Sequence, residues 1–384
     1  MTGKERVIAA LENRQPDLVP WGEHCIDYNV FEMILGRPSF VHAKFREIKA
    51  YWEGRRDEIA ESYKRDYVDL AQALDMDLMT LFPIAPKGYV GEKLIESGEN
   101  KYTDSGHNTY IYSPKTEDLM KIPVNTAYFQ YNITYEEVCE KVNWAKSLPP
   151  VDLRQKNSAY EAIEHVVGEI GHKIFLIIPV NGIEWPRFGI NEEESWINLL
   201  LYPEICEKIA ELQCILTVRE LEYIKSLGAD GVLSAGDLGN TTNLSASPEL
   251  YRKITLKHHK TIYRECKKRG LYVMRHCCGH IMPIIDEIAE YNDSYEGIQE
   301  LAGMDIIRLK QRLGNKLCLW GGILHENIHG GNAASVRNDV IRTCRLSAQN
   351  GGIILGSSHS LSIDATYENI MTIKKTRDEY GRNA

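Results

Sequence analysis

Short apolar runs closed by glycine or polar residues alternate along this chain with longer stretches whose apolar positions recur every three or four residues. The first pattern predicts buried strands and the second amphipathic helices. Residues 2–13 predict an opening helix with Val7, Ile8 and Leu11 on one side. Leu18-Val19-Pro20-Trp21 predicts a short first strand and residues 77–82 a second. Residues 173–179, 231–235, 270–273, 295–300, 316–320 and 352–356 predict strands three to eight. Helical spacing fills 40–73, 134–146, 158–170, 192–202, 203–227 and 247–269. Between about 86 and 115 the texture changes, and Gly88-Tyr89-Val90-Gly91 and Tyr110-Ile111-Tyr112-Ser113 predict an inserted antiparallel hairpin.

Eight strands alternating with helices predict an α/β fold of the (β/α)8 TIM-barrel class, with an N-terminal helical extension and the inserted hairpin, in one domain over 1–384. A doubly wound open sheet is the alternative, but no glycine-rich phosphate loop follows the first strand. Composition agrees with a large packed core: 43% of the 384 residues are hydrophobic. The formal charge of −9 argues against a nucleic-acid or anionic-membrane binder. No apolar stretch approaches the ~20 residues that span a bilayer. The start resembles no signal peptide, and nine cysteines without a framework spacing read as reduced thiols. The expected location is cytoplasmic.

The carboxyl ends of barrel strands share one mouth, so polar groups there converge from far apart in sequence. The fifth predicted strand runs into Met274-Arg275-His276-Cys277-Cys278-Gly279-His280. Alternate side chains of an extended segment share a face, which pairs His276 with Cys278 and sends Cys277 the other way. Imidazole and thiolate together suit zinc; buried inert cysteines beside polar histidines are the alternative. The other strand-end candidates are Glu23, His24, Glu184, Asp237, Asn240, Gln299, Glu300, His325, Glu326 and Ser357 to His359. A third zinc ligand is expected from this set, with His359 the first choice and a hydrogen-bonded cleft histidine the alternative. Glu184 is a second candidate ligand or a general acid/base, or else an exposed strand-end carboxylate. Asp237, bracketed by glycines, can approach a ligand or cap the next helix. Cys25 offers a thiolate, Cys318 reads as core, and His280 as a helix cap. The His258-His259 pair, on a charged helix, reads as solvated surface.

Several passages resemble the uroporphyrinogen decarboxylase superfamily, and within it the zinc-dependent, corrinoid-linked methyltransferases. They are Gly228-Ala229-Asp230-Gly231 through Gly236-Asp237 to Ser247-Pro248-Glu249-Leu250-Tyr251; His276-Cys277-Cys278-Gly279; Trp320-Gly321-Gly322-Ile323; and Gly351-Gly352-Ile353-Ile354-Leu355-Gly356 running to His359 and Glu368-Asn369-Ile370. The resemblance implies a (β/α)8 barrel and zinc held by the His-x-Cys pair and a later cysteine near the eighth strand. This chain has His359 where that cysteine would fall. The decarboxylase itself matches poorly, because its arginine-rich N-terminal segment is not recognisable beside Glu23 and His24. The resemblance thus implies methyl transfer from a small methylated substrate to a corrinoid, with zinc as Lewis acid, and Glu184 or Asp237 handling a proton. No Asp-x-His-x-x-Gly corrinoid motif occurs, so the corrinoid is expected on a partner protein. Twenty-one tyrosines, with Trp21, Trp185 and Trp320 near strand ends, suit an aromatic substrate, which makes O-demethylation of a methoxylated aromatic the specific expectation. Three alternatives stand beside it: methyl transfer from a corrinoid protein to a thiol, a metal-free decarboxylase, and a degenerate barrel that only binds.

Overall fold

The structure, a computed structural model, describes residues 1–122, 133–189, 191–349 and 351–382. The barrel strands are β1 (Gly22–Glu23), β2 (Leu78–Thr80), β7 (Phe175–Asn181), β8 (Gly231–Ala235), β9 (Tyr272–His276), β10 (Ser294–Glu296), β11 (Cys318–Ile323) and β12 (Ile353–Ser357). All pair in parallel and in that order. A parallel bridge between Trp21 and Leu355, with Leu355 N–H donating to Pro20 O at 2.8 Å, closes the ring. The eight-strand reading of the sequence is the observed fold. The fourth strand lies where the sequence places it. The first, third, fifth, seventh and eighth are displaced toward their carboxyl ends, the second is trimmed at both ends, and the sixth keeps only its beginning. The first shifts furthest, since Pro20 has no N–H for a ladder and pairing starts beyond it.

Two apolar layers hold the barrel. Leu78, Phe175, Ile177, Leu233, Met274, Cys318, Trp320 and Ile354 fill its interior, and Val7, Ala10 and Leu11 of the opening helix (Gly3–Leu11) plug the bottom. Val19, Leu176, Ile178, Val232, Val273, Leu319 and Ile353 face the surrounding helices instead. The alternation along each strand is what sends Met274 and His276 inward while Val273 and Arg275 point to the helix layer.

The insertion is a four-stranded antiparallel sheet rather than one hairpin: β3 (Ile95–Gly98), β4 (Lys101–Thr103), β5 (Thr109–Tyr112) and β6 (Leu119–Lys121). Phe45 packs against Tyr102 and Tyr112, which ties this sheet to the N-terminal extension. The predicted helix over 40–73 is two helices, Lys44–Trp52 and Arg56–Leu74, separated by Gly54 at φ +75°. The stretch 247–269 is also two, Pro248–Ile254 and Leu256–Lys268, broken where the Thr255 hydroxyl donates back to Tyr251 O at 3.0 Å. No helix among the described residues is long and apolar enough to cross a membrane.

Candidate metal centre

β9 ends at His276, and the chain then turns so sharply that Cys278 comes back beside it. Gly279 makes the turn at φ +81°, where a Cβ would stand 2.6 Å from the Gly239 backbone, so no larger residue fits. Two hydrogen bonds fix the turn: Cys278 N–H to Asp237 Oδ1 at 2.8 Å and Gly279 N–H to Gln299 Oε1 at 2.9 Å. Cys277 faces the opposite way, fully buried, its sulfur accepting Leu238 N–H at 3.3 Å.

The result is a cluster of donors. His276, Cys278 and His359 each offer one ligand atom, and these atoms lie within 4.8 Å of one another. His276 Nε2 and Cys278 Sγ are 3.5 Å apart. Two ligands at ~2.1 Å and ~2.3 Å from a tetrahedral zinc stand about 3.6 Å apart, so the pair fits that ion. His276 Nδ1–H donates to Glu296 Oε2, which leaves Nε2 as the ring's lone-pair nitrogen. Burial alone would raise the Glu296 carboxyl, but the His24 and His276 imidazoles outweigh it and hold it well below the usual carboxylate range. The same pair acts reciprocally: burial would lower His276, and Glu296 raises it. Burial, helped by Asp237 and Glu296, pushes the Cys278 thiol far up, so a cation is needed to make it a thiolate.

His359 is the donor that must adjust. Its Nδ1 accepts Ser360 N–H at 2.7 Å, so the neutral ring carries its proton on Nε2. To hold a metal through Nε2 the ring would have to carry its proton on Nδ1, which would require the Ser360 amide to turn away. Burial and then His24 lower the His359 pKa, keeping the ring neutral.

The carboxylates form a second line. Glu184 Oε2 accepts Asp237 N–H at 3.2 Å, and Asp237 Oδ1 stands 3.8 Å from His276 Nε2. Glu184 lines a cleft of about 440 Å³ with Trp185, Arg187 and Gln213. It is not one of the three clustered donors, and its carboxylate meets Asp237 instead. Asp237 holds the Cys278 turn; it does not cap a helix.

Sequence reading missed Glu296, which lies at the last position of β10 rather than inside a longer strand, and counted Gln299 and Glu300 in its place. It is fully buried beneath the mouth, with His24 Nδ1 3.2 Å from its other oxygen. His24 stacks on His276 at 4.4 Å between ring centroids, and His24, His276 and Glu296 form a second donor group that shares His276. His325 stacks on His329 at 3.8 Å and meets His359 edge-on. Cys25 pairs with His42 at 3.5 Å and is not one of the three donors, and His280 bonds Ala302 O rather than capping a helix. His258 and His259 are buried, not solvated: His258 lies against Glu207 of the helix Pro203–Ser226, and His259 reaches Ile183 O beyond β7. Cys318 is core, as expected.

Residues 190–380 match the family model described as uroporphyrinogen decarboxylase (URO-D). The fold is similar to a solved methyltransferase from Methanosarcina mazei, with a TM-score of 0.66 and 16% identity over 99% of each chain. Weaker likenesses include a chitinase from Chromobacterium violaceum ATCC 12472, at TM-score 0.37 and 9% identity over 64% of this chain and 96% of that one. A sugar phosphate isomerase/epimerase from Parabacteroides distasonis ATCC 8503 gives TM-score 0.36 and 9% identity over 95% and 96%. No curated protein sequence matches the chain.

Proposed function

We propose that this protein is a zinc-dependent methyltransferase of the uroporphyrinogen decarboxylase superfamily. In this reading it moves a methyl group from a small methylated substrate, a methoxylated aromatic, to a reduced corrinoid carried by a partner protein. The family match over 190–380 and the fold likeness to a methanogen methyltransferase support the class. The observation that carries the chemistry is the convergence of His276, Cys278 and His359 on one point of the barrel mouth.

Zinc at that point would act as a Lewis acid toward the leaving oxygen. The donor set favours this use over thiol activation. One thiolate and two neutral imidazoles leave a divalent ion with a net charge of about +1, which stabilises a developing alkoxide or phenoxide and weakens a bound thiolate as a nucleophile. The protein's own groups do the rest. Glu296 fixes the His276 tautomer from behind, and Asp237 fixes the Cys278 turn. The methyl carbon would leave oxygen in line with the partner's reduced corrinoid, whose cobalt would supply the electron pair of the new bond while the C–O pair stays on oxygen. Glu184 or Asp237 would relay a proton from water to that oxygen.

The test is methyl transfer by the purified, zinc-loaded chain to free cob(I)alamin, followed by its absorbance, against a panel of methoxyarenes. The reverse arm offers methylcobalamin and a panel of thiols. Demethylation of a methoxyarene that is lost in His276→Ala is expected. Thiol methylation alone, or full activity after zinc removal, overturns the reading.

A further inference from the structure

The segment that carries Glu184 leaves β7 in a conformation its sequence does not favour. Ile183 is fully buried and sits at φ +49°, in the left-handed region that a β-branched side chain rarely enters. Such a conformation persists only where the surroundings over-determine it. Here they do. Asn181 Oδ1 accepts Ile183 N–H at 2.8 Å, and Gly182 N–H donates to Ala235 O at 2.8 Å. Arg275 Nη1–H donates to Gly182 O at 2.7 Å, and His259 Nε2–H to Ile183 O at 2.7 Å. Beyond Glu184, Trp185 Nε1–H donates to Leu238 O at 3.0 Å.

Two of these holding groups are unusual. Arg275 is only 1% exposed and has no carboxylate partner among the described residues. Its guanidinium is directed mainly at backbone carbonyls, Nη1 at Gly182 O and Nη2 at Gly236 O at 2.6 Å, with a longer contact from Nη1 to the Ser234 hydroxyl at 3.3 Å. It thus ties the loop carrying Glu184 to the loop carrying Asp237. A buried cation kept this way is costly unless its hydrogen bonds are needed. His259 is buried on the same side. Its Nδ1 accepts the Tyr251 hydroxyl at 3.0 Å, which fixes the proton on Nε2, where Ile183 O takes it.

We propose that Arg275 and His259 are positioning residues, which lock the strained 181–185 arm and so set Glu184 over Asp237 at the mouth. Neither touches substrate; both act through Glu184. The kinetic part of this inference rests on the methyl-transfer reading above, and the structural part stands apart from it.

The test compares His259→Leu, His259→Gln and Tyr251→Phe in the full-length, zinc-loaded protein, by amide hydrogen exchange and by methyl transfer to cob(I)alamin. In His259→Leu, exchange in peptides covering 182–189 and at the Asp237 amide is expected to rise about tenfold or more with the rest of the barrel unchanged. Zinc stoichiometry stays the same, and kcat falls by about tenfold with KM moving less. His259→Gln, which keeps a donor for Ile183 O, restores both. Tyr251→Phe deletes one hydroxyl while keeping the packing, and frees the His259 tautomer; it should raise exchange in the same peptides. In the Glu184→Gln background, His259→Leu should cost no further kcat, because the clamp acts through that carboxylate. Unchanged exchange at 182–189 in both His259→Leu and Tyr251→Phe, or multiplicative losses in the double variant, overturns the proposal. If the parent protein transfers no methyl group at all, the methyl-transfer reading fails, and the exchange measurements still decide the clamp.

Discussion

Glu296→Gln is the sharpest perturbation of the centre, because the change is one atom and both of its neighbours are imidazoles. Glu296 presents one oxygen to His276 Nδ1 and the other to His24 Nδ1 at 3.2 Å. Glutamine offers only one acceptor oxygen, so one ring must face its NH2 group. If that ring is His276, its proton moves to Nε2, the nitrogen that faces Cys278 Sγ at 3.5 Å, and the lone pair for the metal is lost. Groups that orient a metal-bound histidine from behind are worth about 10–100-fold in affinity, which is roughly 1.4–2.7 kcal/mol. Glu296 is fully buried, so solvent screening does not reduce the effect. The assay is competition for zinc against a chromophoric chelator at pH 7, with His24→Gln alongside. Affinity is expected to drop at least tenfold in Glu296→Gln and less in His24→Gln. A change within twofold in Glu296→Gln refutes the idea that this carboxylate sets the His276 tautomer.

Two further outcomes concern the scaffold. Arg377, fully buried, holds Asp77 Oδ2 at 3.0 Å and Asp75 Oδ2 at 2.8 Å, and Arg6 also reaches Asp77. Arg377→Ala leaves Asp77 half-paired and should cost about 3 kcal/mol in urea unfolding, with zinc affinity unchanged; a loss under about 1 kcal/mol contradicts the assignment. His259 is pulled down to about 3 by burial and then by Arg275, so it stays neutral in the folded protein while the unfolded chain protonates near 6.5. Its contribution is therefore full above about pH 6.5 and lost as pH falls toward 3, with a slope of up to ~1.4 kcal/mol per pH unit. His259→Gln should flatten the stability profile of the parent across that window, measured by urea unfolding at several pH values; parallel profiles contradict it.

Most of the barrel was legible because parallel strands buried on both faces read as continuous apolar runs, such as Phe175 to Val180 and Ile353 to Leu355. The first strand was displaced because two residues of pairing carry almost no pattern, and Pro20 beside them hides the boundary. His276 and Cys278 were visible as a pair since both chemistry and spacing lie within three residues. Glu296 was not, because a single acid at the end of a three-residue strand looks like any surface carboxylate until β9 and β10 pair Glu296 with His276. The burial of His258 and His259 was hidden for a related reason. Their helix carries many lysines and arginines, and only the tertiary fold shows that the two imidazoles occupy its inner face. The Ile183 strain had no sequence signal at all, since a left-handed isoleucine goes against local preference.

The most direct measurement of the central claim is an anomalous-difference map, collected on both sides of the zinc edge, from crystals of metal-replete protein. One strong peak is expected at the barrel mouth, within ligand distance of His276 Nε2 and Cys278 Sγ, about 2.1 and 2.3 Å, with His359 turned toward it and the Ser360 amide released. An empty mouth, or a peak held by other residues, contradicts the proposed centre and the methyl transfer built on it.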